Sequence, residues 1–310
     1  MSELARTVLS PSDSFGAVVI NDDPRRGSVD LPPEVDIVGA RLDRCAELFN
    51  SFRVTWGEHL ATFPHQVSVE VDDAGWGRIL FTRHREPPAK LSLILGEFLY
   101  ELRAALDNSL YAVAIIDSGR NPPPKASALE WPICADKQSW EGHRGRRLDA
   151  LSTELQEALH AIQPFQAEFP TWNCLQILND MARVDRHRAV HFVTSFASNG
   201  WMKHDRDLVK DLEVFPGPVS PDGILATFRW LGDFEISPDY LDGGTEFDVE
   251  VAGVELGPGP STPELVRPWG TLEKRLRALH SAVTEYVYGL IELAVELAAD
   301  SDPGKPQTEP

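Results

Sequence analysis

Cysteine, long apolar runs and basic charge are all scarce in this chain, and each scarcity excludes something. Three cysteines in 310 residues, Cys45, Cys134 and Cys174, form an odd and widely separated set with no Cys-x-x-Cys pair. A disulfide framework and the common zinc spacings are thereby excluded, and the thiols read as reduced. No stretch approaches the roughly 18 uninterrupted apolar residues of a membrane helix. The richest one, Tyr286 to Ala299, is broken by Glu292 and Glu296. The first residues hold no basic segment followed by an apolar run, so a soluble, cytoplasmic protein with no membrane partner is expected.

Lysine and arginine number 29 against 48 aspartates and glutamates, a formal charge of −19. Phosphate backbones and anionic headgroups repel such a surface, so non-specific DNA binding is not expected and any nucleic-acid contact must use a local basic patch. Gly-x-Gly-x-x-Gly and Gly-x-Ser-x-Gly are missing, and Gly253 to Gly259 is not followed by Lys-Ser/Thr. Hydride transfer on a Rossmann unit, P-loop hydrolysis and the common serine-hydrolase design are disfavoured. No cofactor is implied.

What is present is helical periodicity with two β-like interludes. Residues 1–33 are rich in Ser, Asp, Pro and Gly and predict a flexible N-terminal arm, and residues 300–310 predict a disordered tail. Between them a single domain over residues 34–299 is expected. Apolar spacing of three and four predicts helices over Pro33 to Leu60, from Pro87-Pro88 to Ile116, over Asp149 to Ile162 with Ser152 or Thr153 as N-cap, over Trp172 to Phe196, and over Thr262 to Ala299. Alternation predicts a hairpin over residues 66–83, closed by Asp72-Asp73-Ala74-Gly75, and further short strands within 206–256. The expected fold class is α+β: mainly an α-helical bundle of about five long helices with small antiparallel β insertions.

Two helices carry charge inside an apolar pattern. On the predicted helix four, Leu175, Leu178, Ala182, Asp185, Ala189, Phe192 and Phe196 make one stripe, apolar except at Asp185. Isolating that carboxylate would cost several kcal/mol, so a partner is required, and Arg103 on helix two is the first candidate. Arg103, Asp107, Asp185 and Arg188 are expected to form a structural polar centre.

The run Leu102-Arg103-Ala104-Ala105-Leu106-Asp107, with the later Asp185-Arg186-His187-Arg188, resembles a group of uncharacterised bacterial proteins, common in actinobacteria. Its members carry Gly-Asp-x-x-His-Asn-Leu-Arg-x-x-Leu-Asp-His on a helix and then Asp-Lys-His-Arg. The resemblance implies shared architecture and no particular reaction. Tyr100-Glu101, Asn108 and Arg186 depart from that pattern. Arg186 and His191 are also similar in spacing to the Arg and His of HEPN-type helical ribonucleases. That similarity implies metal-independent RNA cleavage across a homodimer, with His191 exchanging a proton and Arg186 neutralising phosphate charge.

Three functional readings follow. The first is a binding or interaction module. The second is a ribonuclease with Arg186 and His191 as catalytic residues, served by the basic clusters Arg83-His84-Arg85 and His143-Arg144-Gly145-Arg146-Arg147. The third is a metal-binding bundle using Asp180, His187 and His191, because His187 and His191 have the i, i+4 spacing that lets two imidazoles meet one ion. Glu97 and Glu101 would lie within reach of that ion on helix two.

Overall fold

The computed structural model describes residues 31–187, 192–215, 217–251 and 270–300. Three long helices form its frame: α1 (Glu34–Leu60), α2 (Ala89–Ser118) and α6 (Leu272–Asp300). Each buries one stripe. Val35, Val38, Leu42, Cys45, Phe49 and Phe52 do so on α1, and Leu91, Leu95, Leu99, Leu102, Leu106, Leu110 and Val113 on α2. α2 lies against both α1 and α6, and their stripes meet in one large core. Gly119 ends α2 with φ +62°, the left-handed conformation that glycine adopts without a Cβ clash.

Shorter helices close the sides: α3 (Lys137–His143), α4 (Thr153–Ala161) and α5 (Cys174–His187). Asp136 caps α3 by accepting from the Ser139 N–H. Ser152 does stand at the N-cap of α4, but its hydroxyl makes no capping bond; its own N–H donates to Asp117. On α5, Leu175, Leu178 and Ala182 are buried as the stripe predicts.

A bundle of about five long helices is not what forms. Six α-helices are described, and only three are long, at 27, 30 and 29 residues; the others have 7, 9 and 14. The strands are more than insertions. β1 (His65–Val71), β2 (Trp76–Arg83), β4 (Val209–Val214) and β6 (Ile224–Trp230) build a four-stranded sheet in the order β1-β2-β6-β4. A second sheet has the order β5-β3-β7, from β3 (Phe192–His204), β5 (Gly217–Pro218) and β7 (Leu241–Val251).

Two physical facts explain the correction. The helix predicted to Phe196 is described only as far as His187, and Phe192 already belongs to β3. Phe192 and Phe196 keep a helical spacing, but β3 finds an antiparallel partner in β7, from Phe192↔Val251 to His204↔Leu241. Tertiary pairing overrides local period. The second fact is that β2 pairs with β6, as in Arg78↔Thr227, which joins the two predicted β regions into one sheet.

A second, smaller core lies on this sheet, with Ile79, Phe81, Val209, Phe228, Trp230 and Leu241. Gly77 is required there, since a Cβ would stand 2.2 Å from the Phe228 ring. β7 ties the cores together: Val249 and Val251 belong to the helical core, while Phe247 packs on the other. At the same strand Asp248 accepts from the Leu272 N–H at 2.6 Å, where α6 begins, and Glu250 receives both guanidinium nitrogens of the fully buried Arg275, at 2.8 and 3.0 Å. A bidentate pair of this kind fixes α6 on β7.

Candidate functional site

The expected polar centre holds together in part, and its geometry is architectural. Arg103 donates to the Trp131 carbonyl at 2.9 Å and to Glu130 at 3.5 Å, with Asp107 3.8 Å away. Asp107 in turn accepts from the Trp131 N–H at 2.8 Å. Glu130 also pairs with Arg147, and His143 donates to the Glu130 carbonyl. These bonds strap an extended segment across α2 and seat the Trp131 indole in the core, where it is fully buried. Gln163 continues the strap, accepting from the Cys134 N–H and donating to the Pro132 carbonyl. Irregular backbone can be buried here because side chains satisfy it. The sequence expectation names Arg103 and Asp107, which stand 3.8 Å apart, and does not name Glu130 or Arg147. The side chain of Asp185, and Arg188 altogether, lie outside the described residues.

The other sequence candidates are distributed rather than gathered. Asp180 accepts from Gln176 at 2.8 Å. The side chains of Arg186 and His187, and the whole of His191, lie outside the described residues. Glu101 pairs with Arg41 at 2.6 Å, and Glu97 with Arg44 at 3.4 Å. Among the described residues no group of three or more His, Cys, Asp or Glu could hold a metal ion. The basic run after His143 is largely engaged: Arg144 pairs with Glu141, Arg146 donates to the Gly142 carbonyl, and Arg147 pairs with Glu130.

The basic cluster Arg83-His84-Arg85 has a different setting. A cleft opens where α1 ends, β1 begins, β2 ends and β7 passes. Its floor is aromatic. The His65 and Phe81 rings stand 5.4 Å apart, and Phe247 lies 4.6 Å from each, while Trp56 stacks on His59 at 5.4 Å. Pro64 and Pro87 add rigid walls, and Arg83 and Arg85 supply the cationic lip.

Electrostatics follow from that arrangement. Burial pushes the His59 pKa down, and the nearby Arg85 and Arg83 charges push it further. His65 is lowered by burial and then by His59 and His84. Both imidazoles are therefore neutral at pH 7, flat and able to accept or donate a single proton. Two carboxylates come near and both are engaged: Asp248 receives the Leu272 N–H, and Glu86 pairs with Arg83 at 2.7 Å. Arg85, by contrast, is exposed and makes no side-chain ion pair among the described residues.

Part of this site was visible in the sequence. His59, His65 and His84 flank Pro64 and the Arg83–Arg85 run within 27 residues, a density that the weak overall basicity makes conspicuous. Phe247 comes from more than 160 residues away and could be found only once β7 was placed. Among the described residues no helix is long and apolar enough to cross a membrane. No protein-family model, curated protein or solved structure matches the chain, so the two motif resemblances gain no support from relatives.

Proposed function

We propose that this chain is a binding module whose ligand is a small aromatic anion, seated in the cleft between α1, β1, β2 and β7. The observation that carries the reading is the pairing of four flat rings, Trp56, His65, Phe81 and Phe247, with the exposed Arg85 guanidinium at the lip, which makes no ion pair among the described residues. Ligand sites combine mostly apolar walls with a few convergent polar groups. The cleft has that composition. The ring would lie against Phe81 and Phe247 by offset or edge contacts. Arg85 would receive the carboxylate or phosphate through its planar fork, a charge-assisted bond that a lysine would not reproduce.

The test is a titration of the full chain with benzoate, phenyl phosphate and benzylamine, followed through the His59 and His65 ring protons by NMR. Benzoate or phenyl phosphate should move both signals saturably, and benzylamine should not. Arg85→Ala should weaken the anions by about ten- to a hundredfold, the loss expected for a bond to a charged group. Equal binding of the cation, or no shift with either anion, sinks the reading.

A further inference from the structure

The two edges of the four-stranded sheet are built differently. β4, at one edge, is guarded: its pairing with β6 slips between Lys210 and Glu213, Asp211 sits at φ +50°, and three charged side chains stand in a row of four. Such bulges and charges keep other strands from adding to an edge. β1, at the opposite edge, is less guarded, with Glu70 its one acidic or basic residue besides His65. It pairs with β2 in unbroken register over seven residues, His65↔Arg83 to Val71↔Gly77, with no proline, no lysine and no bulge. Val67 and Val69 are 44% and 40% exposed, and Phe63, just before the strand, is 84% exposed. An unbroken edge with two exposed valines is a template for another strand.

Charge says which strand. Beside the start of β1 lie Arg83, His84 and Arg85, the last two held there by N–H bonds to the Pro64 carbonyl at 2.7 and 3.2 Å. Beside its end lie Glu70, Asp72 and Asp73, with Arg78 of β2 as the one cation, paired with Glu70 at 3.6 Å, so that acid still predominates. The edge is therefore basic at one end and acidic at the other. An antiparallel copy of the same edge presents the complementary order, whereas a parallel copy would align like with like.

We infer that β1 pairs antiparallel with β1 of a second copy of this chain about a two-fold axis at Ser68, joining two four-stranded sheets into one. In that register Val67 stands beside the second copy's Val69, on the face that also carries Phe81 and Ile79. Gln66 stands beside the second copy's Glu70 on the other face, where His84 already reaches Gln66 at 3.3 Å. Each contact occurs twice, and the isologous arrangement closes at a dimer, leaving only the guarded β4 edges free. The inference does not rest on the cleft or its ligand.

Sedimentation equilibrium of the full chain over a concentration series tests it. The wild type should associate to a dimer. Gln66→Glu puts a carboxylate beside the second copy's Glu70 twice and should raise the dissociation constant about tenfold. Adding Glu70→Lys to that variant should restore wild-type association, because each new glutamate then meets a lysine. Val67→Lys with Val69→Lys should leave a monomer whose far-UV circular dichroism matches the wild type, since neither side chain is buried. A wild type that stays monomeric throughout overturns the inference. So does a dimer indifferent to Gln66→Glu and to the valine pair, which would have to form through another surface.

Discussion

The helical layer and the cleft treat polar side chains in opposite ways. Where α2 meets the Glu130–Cys134 segment, and where α6 meets β7, guanidiniums and carboxylates are matched within the fold: Arg103 with Trp131 and Glu130, Arg275 with Glu250. Where α1 ends beside β1, β2 and β7, the rings and the Arg85 guanidinium converge on open space, while Glu86 pairs with Arg83 and Asp248 accepts from the start of α6. The same residue types thus build in one region and recruit in the other. What separates the two is whether a partner lies within the chain, because burying a polar group is costly unless its bonds are made.

The sharpest way to break that contrast is to remove a partner from the matched side. Arg275→Ala leaves Glu250 without its bidentate partner at a largely dehydrated position and should cost about 3–5 kcal/mol. The double variant Arg275→Met/Glu250→Leu removes both charges and should recover most of that loss, since an apolar pair of similar volume is often neutral. Urea unfolding monitored by far-UV circular dichroism measures both. A double variant no more stable than the single would mean that α6 depends on the charges themselves.

A smaller effect is expected where one strap bond is cut. Asp107→Ala orphans the Trp131 N–H at a part-buried site and should cost about 1–3 kcal/mol, while Asp107→Asn, which keeps an acceptor, should cost less. If the two variants unfold alike, the carboxylate's bond to the backbone is not what holds the segment. Both should leave anion binding at the cleft unaltered, because neither touches its walls.

How much of this could be read from the sequence depends on range. α1 and α2 were legible to within about two residues at each end, since their apolar stripes repeat at helical spacing and prolines stand at their starts. The hairpin was legible because Asp72 and Gly75 announce a tight turn; Asp72 does accept from the Ala74 and Trp76 N–H groups. The β2–β6 pairing was not, for it joins segments about 140 residues apart and leaves no local mark. Arg103 was named as the first candidate partner for Asp185, whose side chain lies outside the described residues; the partners described for Arg103, Trp131 and Glu130, lie on an irregular segment with no period to follow. The cleft was half legible: Arg83-His84-Arg85 stood out, whereas Phe247 and the role of Pro64 needed the fold.

Acid should expose a weakness common to both regions. His59, His65, His143 and His280 all have pKa values pushed down, in each case first by burial. The unfolded chain, with ordinary histidines near 6.5, then takes up protons before the folded one does. Their contribution to stability is therefore complete above about pH 6.5 and is lost as pH falls through that value toward the lower folded pKa values. The thermal midpoint should drop by a few degrees between pH 7.5 and 5.5. His280→Gln should flatten the dependence; an unchanged slope would assign it to the other histidines.

The finest discrimination uses the same titration with an anion present. His280 is sealed inside the helical core, donating through Nε2 to the Leu42 carbonyl at 3.0 Å, with the Asp43 charge raising its pKa against the effect of burial. His59 is held down by burial and by Arg85 and Arg83, charges that a bound carboxylate would offset. Saturating benzoate should therefore raise the His59 pKa and, more weakly, that of His65, while leaving His280 where it was. The pH profile of binding should show the reciprocal change, with tighter binding as pH falls through the His59 titration, because proton and anion favour each other by the same free energy. NMR titration of the ring protons with and without benzoate reads both histidines in one sample. A shift common to His59 and His280 would mark a general ionic effect; a shift confined to the cleft would show that its cations are open to an outside charge, and those of the helical layer are not.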